Sequence, residues 1–211
     1  MQALLNIFEM KKIFFVKPNL SLPDKITIVG SSKSILKKRK GKEIDNSKFI
    51  VRFNFPETKG FEKYTGTQTS LMVINNINYS RLKFDKILQK PCKILVISPN
   101  KEKKYISNLD IFFFEKKIYQ YLLALRFIKH PVIFLNLIKI LSSKNFSVGF
   151  CFILLCISSG IKMNIYGFDL EEDMLKRKHY YKKQIIGNVH NLVSEHYLLK
   201  KLKHHKLINF N

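Results

Sequence analysis

The sequence predicts an α/β fold, a single Rossmann-like domain whose mainly parallel sheet is flanked by helices. The length of 211 residues suits one domain with a sizeable core. Apolar residues make up 46% of the chain and aromatic residues 13%, which is typical of a packed globular protein. Short β-branched runs alternate with segments of helical pattern. This alternation favours a parallel sheet that binds ligands at the carboxyl ends of its strands.

The chain divides into a basic lead-in at residues 1–24 and one domain at residues 25–211. Proline residues punctuate the lead-in, which has no clear hydrophobic period. The domain opens with a β-branched run that ends in Gly30-Ser31-Ser32, after which KSILKKRK predicts a helix. Further strands are predicted at residues 49–54, 69–74, 92–99 and 162–170.

Helical patterns fill the intervals between these strands. One helix is predicted at residues 79–89, and a loop follows at residues 100–110. Residues 115–141 predict two helices divided at Pro131, because proline disfavours helix at the residue before it. A buried helix is predicted at residues 147–160, with Ser147 as its N-cap and Gly160 just beyond its end.

The formal charge is +23, from 38 basic and 15 acidic residues, and it raises nucleic acid or an anionic membrane as a partner. Only five of the basic residues are arginine, the residue that base and phosphate readers favour. A specific nucleic-acid partner is therefore not expected. Biased composition explains the lysine excess equally well.

Three cysteines stand in apolar contexts without a CxxC pair or an initial signal sequence, which indicates a reducing compartment. Two apolar runs are candidate membrane spans. Residues 146–161 fall short of the roughly 20 residues that a spanning helix needs, and charged residues and a proline interrupt residues 121–141. Neither is interpreted as transmembrane.

Two strand-to-helix features could hold a phosphate. They are Gly30-Ser31-Ser32 and Ser147-Val148-Gly149, since amides at a helix start point their N–H groups at an anion. Ordinary capping explains either feature taken alone, because serine is a preferred N-cap. Neither matches a P-loop or a complete GxGxxG pattern.

His179 and His190 lie in a lysine-rich stretch that reaches a carboxylate at Glu195. Each histidine is either solvated or catalytic. Taken alone, a histidine among lysines is more often solvated. A metal site is disfavoured, because HxxxxE does not place its two ligands on one helical face as HExxH does. The acidic residues at 171–173 are interpreted as a solvated loop.

Four segments in order resemble the motifs of the eukaryotic-type sialyltransferases, glycosyltransferase family 29. The long motif of that family is similar to IVGSSKSIL, FIVRFNFP and KGFEKYTGTQTS, which fall within residues 28–70. Its small motif is similar to SVGFCFILLCISSGIKMNIYGF at residues 147–168. Its third motif resembles HYY at residues 179–181, and its very small motif resembles HNLVSE at residues 190–195.

The chain departs from the family pattern at several positions. Serines stand at Ser31 and Ser34 where the family has asparagines, and Val148 replaces a threonine. Secreted members have a linked pair of cysteines in the long and small motifs. The corresponding positions in this chain fall at about Ile26 and Gly160, where no cysteine stands. The resemblance together with these departures implies a bacterial- or viral-like soluble member in the cytoplasm. The lysine-rich surface and the helices at residues 121–141 predict a peripheral position on the inner membrane face.

The resemblance implies a variant GT-A-like sialyltransferase fold and an inverting, metal-independent transfer of sialic acid from CMP-sialic acid to a glycan or glycolipid acceptor. It makes His190 the general base, His179 the donor to the leaving phosphate, and Glu195 a carboxylate that orients the base. The nucleotide-binding residues it implies are Ser31, Ser32, Asn54, Ser147, Gly149, Gly167 and Phe168.

Two alternatives remain open from the sequence. One is a transferase that uses another CMP-activated acid sugar, such as CMP-Kdo or another nonulosonate. The other is a basic nucleic-acid-binding module, which the charge favours and the scarcity of arginine disfavours.

Overall fold

A computed structural model describes most of the chain. The described residues are 21–75, 78–79, 92–98, 111–115, 124, 127–143, 146–168, 179–181 and 192–210. The predicted loop at residues 100–110 and the acidic residues at 171–173 lie outside them, as does the predicted helix at residues 79–89 apart from its first residue.

The strands of the described residues are β1 (Lys25–Val29), β2 (Ile50–Phe53), β3 (Leu71–Asn75), β4 (Lys93–Ser98), β5 (Ile111–Glu115), β6 (Lys162–Tyr166) and β7 (Asn209–Phe210). These seven strands form one sheet in the order β5-β4-β3-β2-β1-β6-β7, and every neighbouring pair is parallel. The chain runs outward from β1 to β5 and then returns to place β6 on the other side of β1. The topological switch point therefore lies between β1 and β6.

Helices accompany this sheet, which confirms the predicted α/β class with a parallel sheet. A short 3₁₀ helix follows β1. Of the α-helices in the described residues, three are longer than ten residues. The bounds are Lys33–Lys37 for the 3₁₀ helix, α1 (Gly41–Asp45), α2 (Glu62–Thr65), α3 (Pro131–Ser143), α4 (Val148–Ser158) and α5 (Leu192–His204).

The largest core lies on one face of the sheet, where α3, α4 and α5 pack. Helix α4 is buried from Val148 to Cys156, apart from a partly exposed Gly149, which explains why its sequence is apolar on every side. A second cluster on the opposite face joins Val29 and Ile50 of the sheet to Ile44 of α1 and to Tyr180. The ends of β1, β2 and β6 are thus held between two packed layers.

The predicted start and end of α4 are confirmed. The Ser147 Oγ accepts a hydrogen bond from the Phe150 amide at 3.2 Å, as an N-cap side chain does. Gly160 has φ +71°, in the left-handed region that ends many helices. Helix α3 begins at Pro131, where a missing N–H costs nothing, and residues 127–130 before it form turns.

Three predictions of secondary structure need correction. KSILKKRK was expected to form a helix, but only a 3₁₀ helix at Lys33–Lys37 forms. Strand β6 ends at Tyr166 rather than at residue 170, because Gly167 turns the chain with φ +68°. The edge strands β5 and β7 were not predicted. The run IFFFE of β5 is too short for its hydrophobic periodicity to distinguish a strand from a helix.

Candidate functional site

The candidate site lies at the switch point, where the chain leaves β1 and β6. The Gly30 amide donates to the Tyr166 carbonyl at 2.8 Å, and the Ser32 amide donates to the Gly167 carbonyl at 3.0 Å. These bonds continue the β1–β6 ladder beyond both strands. They hold two turns side by side at the edge of the sheet where parallel α/β folds bind ligands.

Two glycines let these turns approach closely. A Cβ atom on Gly30 would lie 2.3 Å from the Gly167 carbonyl oxygen and 2.7 Å from the Phe168 ring. Gly167 also has a positive φ of 68°, which side-chain-bearing residues rarely adopt. A larger residue at either position would separate the two strand ends.

His179 belongs to a segment that pairs with the first of these turns. Ser32 and His179 form an isolated antiparallel bridge, and the Tyr180 amide donates to the Ser31 carbonyl at 3.1 Å. The His179 ring stacks on the Tyr181 ring, with centroids 5.3 Å apart and planes within 8°. The structure therefore brings His179 to Ser31 and Ser32, which are nearly 150 positions away in the sequence.

Tyr180 anchors this segment to the protein. Its side chain is buried, its ring meets Phe61 edge-on at 4.8 Å, and its hydroxyl donates to the Glu57 carbonyl. Burial raises the pKa of Tyr180 to about 12. Because a buried phenol with a hydrogen-bond partner holds its position, Tyr180 fixes the backbone on which His179 stands.

Tyr181 completes the contact with the first turn. Burial raises the pKa of Tyr181, and a hydrogen bond with the Ser31 side chain acts in the opposite direction. The stacked His179 ring lies on this phenol. Ser31 therefore supports the orientation of the His179 ring indirectly, because its side chain bonds the Tyr181 phenol on which that ring stacks.

The amino end of α4 supplies backbone donors. The Ser147 amide donates to Glu195 Oε1 at 2.6 Å, and the Ser147 hydroxyl accepts from Phe150. Both groups of Ser147 are therefore engaged within the protein. The amides of Val148 and Gly149 belong to the first helical turn and have no acceptor within the helix by its geometry. These two amides are the donors that suit an anion.

The Phe168 ring lies between the amino end of α4 and the turn after β1. A Cβ atom on Gly149 would lie 3.2 Å from this ring, and a Cβ on Gly30 would lie 2.7 Å from it. Phe53 meets the same ring edge-on, with centroids 6.0 Å apart. The two features predicted separately as phosphate sites are therefore neighbours across one aromatic side chain.

Asn54 follows β2 at the same edge of the sheet. Its Oδ1 accepts from the Asn75 amide at 3.1 Å and from Asn78 Nδ2 at 2.9 Å. Its φ is +52°, a conformation that asparagine adopts more readily than most residues. Since two bonds occupy the oxygen, the remaining hydrogen-bonding capacity of the side chain is its amide N–H donors.

Sequence reasoning missed a buried cation beneath this edge. Arg52 of β2 is 1% exposed and donates from Nε to the Gln68 carbonyl at 3.0 Å and from Nη2 to the Thr65 carbonyl at 2.7 Å. Burial lowers the pKa of this guanidinium. The signal in the sequence was an arginine between Val51 and Phe53 in an otherwise apolar strand.

Most predicted site residues that the structure describes therefore meet at this edge. Those gathered at the switch point and across Phe168 are Ser31, Ser32, His179, Gly167, Phe168, Ser147 and Gly149, while Asn54 follows the adjacent strand. His190 lies outside the described residues. Glu195 is 4% exposed, and one of its oxygens binds the Ser147 amide, so the role predicted for it toward His190 stays a prediction.

The part of the chain that the structure describes has neither a cluster of metal ligands nor a membrane-spanning helix. It contains no group of three or more His, Cys, Asp or Glu residues that could hold a metal ion. None of its helices combines the length and the apolar character needed to cross a bilayer. Cys92, Cys151 and Cys156 are all free thiols.

Comparisons with known proteins agree on one family. The family model for glycosyltransferase family 29 (sialyltransferase) matches residues 24–207. The human beta-galactoside alpha-2,6-sialyltransferase 2 is 32% identical over 89 residues, which cover 41% of this chain and 16% of that protein. The bovine protein of the same name is also 32% identical over 89 residues, covering 17% of its length. The aligned part is thus about a sixth of the length of these relatives.

Solved structures share the fold. A mammalian sialyltransferase in complex with Gal-beta-1-3GalNAc-ortho-nitrophenol has a TM-score of 0.63 at 14% identity, covering 100% of this chain and 78% of that one. The sialyltransferase CstII from Campylobacter jejuni, in complex with a substrate analogue, cytidine-5'-monophosphate, has a TM-score of 0.50 at 17% identity, covering 90% of this chain and 79% of that one.

Proposed function

Because the chain belongs to glycosyltransferase family 29, the sialyltransferases, we propose that it transfers sialic acid from CMP-sialic acid to a hydroxyl group of a glycan or glycolipid acceptor. The observation that carries this proposal is the meeting of three motifs at the β1–β6 switch point. The turn at Gly30 to Ser32, the His179 segment and the amino end of α4 converge there from distant parts of the sequence.

The donor nucleotide occupies the edge formed by these turns. The Val148 and Gly149 amides, at the positive end of α4, suit the phosphate of CMP. Asn54 offers its amide N–H donors to the ribose or the phosphate. The Ser31 hydroxyl bonds Tyr181 and the Ser32 hydroxyl bonds the Ser34 hydroxyl at 2.8 Å, and a hydroxyl group keeps further hydrogen-bonding capacity for the nucleotide. Gly167 and Phe168 form the wall beside the nucleotide.

The leaving group determines what His179 does. When the bond between sialic acid and CMP breaks, negative charge develops on the departing phosphate. A donor placed beforehand at that phosphate stabilises the transition state more than the ground state. His179 lies beside Ser32 on a segment that Tyr180 anchors, so its position is fixed before the substrate binds. With the helix amides it takes the part that a metal ion plays in other transferases.

The acceptor needs a general base, because a sugar hydroxyl is far too weak an acid to ionise at neutral pH. His190 is assigned this role from its place in the HNLVSE motif, since imidazole titrates near neutral pH. Glu195 of the same motif holds the Ser147 amide at the start of α4. We assign it as a positioning residue for the phosphate-binding end of that helix, in addition to the orienting role toward His190.

The compartment is also part of the proposal. Three free thiols, two of them in the buried helix α4, support a reducing environment and thus a cytoplasmic location. The transfer is proposed to require no metal. The alternative donors CMP-Kdo and other CMP-activated nonulosonates remain, because the motifs resemble those that bind CMP rather than those that select the sugar.

The experiment is incubation of the purified protein with CMP-sialic acid and acceptors ending in lactose, GalNAc or a sialoside, read by mass spectrometry in the presence of EDTA. A product heavier by one sialyl residue is expected on at least one acceptor. Parallel reactions with CMP-Kdo test the alternative donor. Transfer of Kdo alone would overturn the assignment of sialic acid, and a salt-sensitive DNA mobility shift without CMP binding would overturn the transferase proposal.

A further inference from the structure

Helices α3 and α5 and the turns next to them carry an unusual surface, here called the α3/α5 face. Five large hydrophobic side chains are exposed in the described part of the chain, and all five lie on this face. Ile128 is 60% exposed and Leu135 is 64% exposed. The others are Val132, Val193 and Tyr197. Scattered single exposures are normal, but their confinement to one helix pair is informative.

Spacing places these side chains on one side of each element. Val132 and Leu135 are three positions apart, and Val193 and Tyr197 are four apart, as neighbours on one helical face are. The opposite sides of the same helices are buried in the main core. Their buried residues are Ile133, Leu137 and Ile140 on α3 and Leu198, Leu199 and Leu202 on α5. Each helix thus has two apolar sides, and the core covers only one of them.

The two helices lie side by side. They pack against each other, and the His130 ring before α3 lies 5.6 Å from the His205 ring after α5. The amino end of α3 therefore meets the carboxyl end of α5.

The exposed charged residues in the described part of the α3/α5 face are all basic. Glu195 is the single acidic residue in the described stretches 127–143 and 192–210, and it is buried against the Ser147 amide. Lysines occur in the same two stretches as the exposed apolar side chains, and the Lys201 Nζ lies 5.4 Å from the centre of the exposed Tyr197 ring. The lysines of these two stretches are Lys129, Lys139, Lys200, Lys201, Lys203 and Lys206.

We propose that the α3/α5 face rests on a bilayer that contains anionic phospholipid. Exposed Val, Leu and Ile side chains suit the acyl boundary, a tyrosine suits the headgroup level, and flexible lysines reach anionic headgroups along their apolar stems. Within the described stretches 127–143 and 192–210 no carboxylate is exposed, so these residues present no charge that an anionic surface would repel. A protein partner would need a complementary acidic surface as well as an apolar one, whereas an anionic bilayer supplies both.

This orientation has a consequence for the site. Glu195, in the first turn of α5, contacts the start of α4, so the amino end of α5 lies next to the proposed phosphate-binding amides. Binding through the α3/α5 face holds the donor site near the membrane surface, where the sugar of a glycolipid is found. This consequence rests on the proposed function, but membrane binding itself does not.

The test is co-sedimentation of the full chain with vesicles of phosphatidylcholine alone or with phosphatidylglycerol added. Binding is expected only to the anionic vesicles and is expected to weaken as salt rises. Each lysine near such a surface changes the partition coefficient about fivefold. Replacing Lys129, Lys201 and Lys203 by Gln together is therefore expected to lower binding more than tenfold.

A matched triple with the same loss of charge is the control. Lys42, Lys48 and Lys59 are exposed and lie in the α1–α2 part of the chain, which packs on the opposite face of the sheet. Their replacement by Gln is expected to change binding less than threefold by general electrostatics alone. The exchange Leu135→Ser removes an apolar contact without changing charge and is expected to weaken binding about tenfold.

Three results would overturn the proposal. They are absence of binding to anionic vesicles at low salt, equal losses for the two lysine triples, and wild-type binding by Leu135→Ser. Concentration-dependent dimerisation abolished by Leu135→Ser, without vesicle binding, would assign the face to a second copy of the chain. A fall in thermal stability for Leu135→Ser with vesicle binding unchanged would assign it to contact within the chain.

Discussion

Replacement of Glu195 tests the contact that joins α5 to the start of α4. Glu195→Ala removes a carboxylate that is 4% exposed and leaves the Ser147 amide without the oxygen that lies 2.6 Å from it. The Ser147 side chain does not replace this acceptor, because its hydroxyl is directed at the Phe150 amide, as in an N-cap. Glu195→Gln keeps an oxygen of similar shape and loses only the charge.

The magnitude follows from the burial of the bond. A hydrogen bond to a charged group contributes about 1.5–3 kcal/mol, and an orphaned buried donor costs about 1–3 kcal/mol. We expect Glu195→Ala to lower the free energy of unfolding by about 2–3 kcal/mol. In a protein of this size that corresponds to roughly 4–12 °C in Tm. Glu195→Gln is expected to lose less than about 1.5 kcal/mol, because a neutral acceptor remains.

The assay is urea denaturation together with a CMP titration. Glu57→Ala is the matched control, since Glu57 is exposed and accepts a surface bond from the Lys59 amide at 3.2 Å. Its removal is expected to change stability by less than about 0.5 kcal/mol. Glu195→Ala is also expected to weaken CMP binding, because it releases the end of α4 that bears the Val148 and Gly149 amides.

The alternative role for Glu195 makes a different prediction. A carboxylate that served only to orient the His190 ring would affect catalysis without affecting the free energy of unfolding or CMP affinity. Wild-type stability and wild-type CMP affinity in Glu195→Ala would therefore refute the inference that Glu195 positions α4.

Three further predictions concern the same edge of the sheet. Gly30→Ala places a Cβ 2.3 Å from the Gly167 carbonyl oxygen, so urea denaturation is expected to show a loss of about 1–3 kcal/mol and titration a loss of CMP binding. Gly160→Ala, with φ +71° and open space around its Cβ, is expected to lose about 1 kcal/mol with CMP binding intact; equal CMP affinity in the two variants would contradict the close approach. The pKa of Tyr180 is raised from 10.0 to about 12, so its contribution to stability is complete below pH 10 and is lost as pH rises to 12. The stability difference between wild type and Tyr180→Phe, measured by denaturation, should shrink over that range, and a constant difference would count against burial of the phenol. CMP should raise Tm more than UMP or GMP does at the same concentration. Equal shifts in Tm for the three nucleotides would contradict the assignment of a CMP site.

The elements predicted well from the sequence have strong local signals. Strand β1 and the strands at Ile50–Phe53 and Leu71–Asn75 are short β-branched or apolar runs, and α4 has a serine cap and a terminal glycine. The edge strands β5 and β7 lack such signals. Strand β7 has only two residues, and it forms because β6 offers it an open edge.

The candidate site divides in the same way. His179 and the glycines and serines of the turns were predictable, because each lies in a short motif that can be recognised in the sequence itself. The contact between Glu195 and Ser147 was not predictable, because it joins residues 48 positions apart through the packing of two helices. The anchoring of the third motif by Tyr180 likewise spans 123 positions to Glu57. Such contacts follow from tertiary packing, which local patterns do not encode.

The central claim is that the switch-point site expels CMP from CMP-sialic acid, with His179 beside the leaving phosphate and His190 acting on the acceptor. CMP release with and without acceptor, measured for wild type, His179→Ala and His190→Ala, tests it most directly. His179→Ala is expected to depress both reactions, because both expel CMP. His190→Ala is expected to lose about 10²–10⁴-fold in transfer and to retain acceptor-free hydrolysis and CMP affinity. Retention of more than about a tenth of wild-type transfer by His190→Ala, or equal loss of hydrolysis in both variants, would contradict the account.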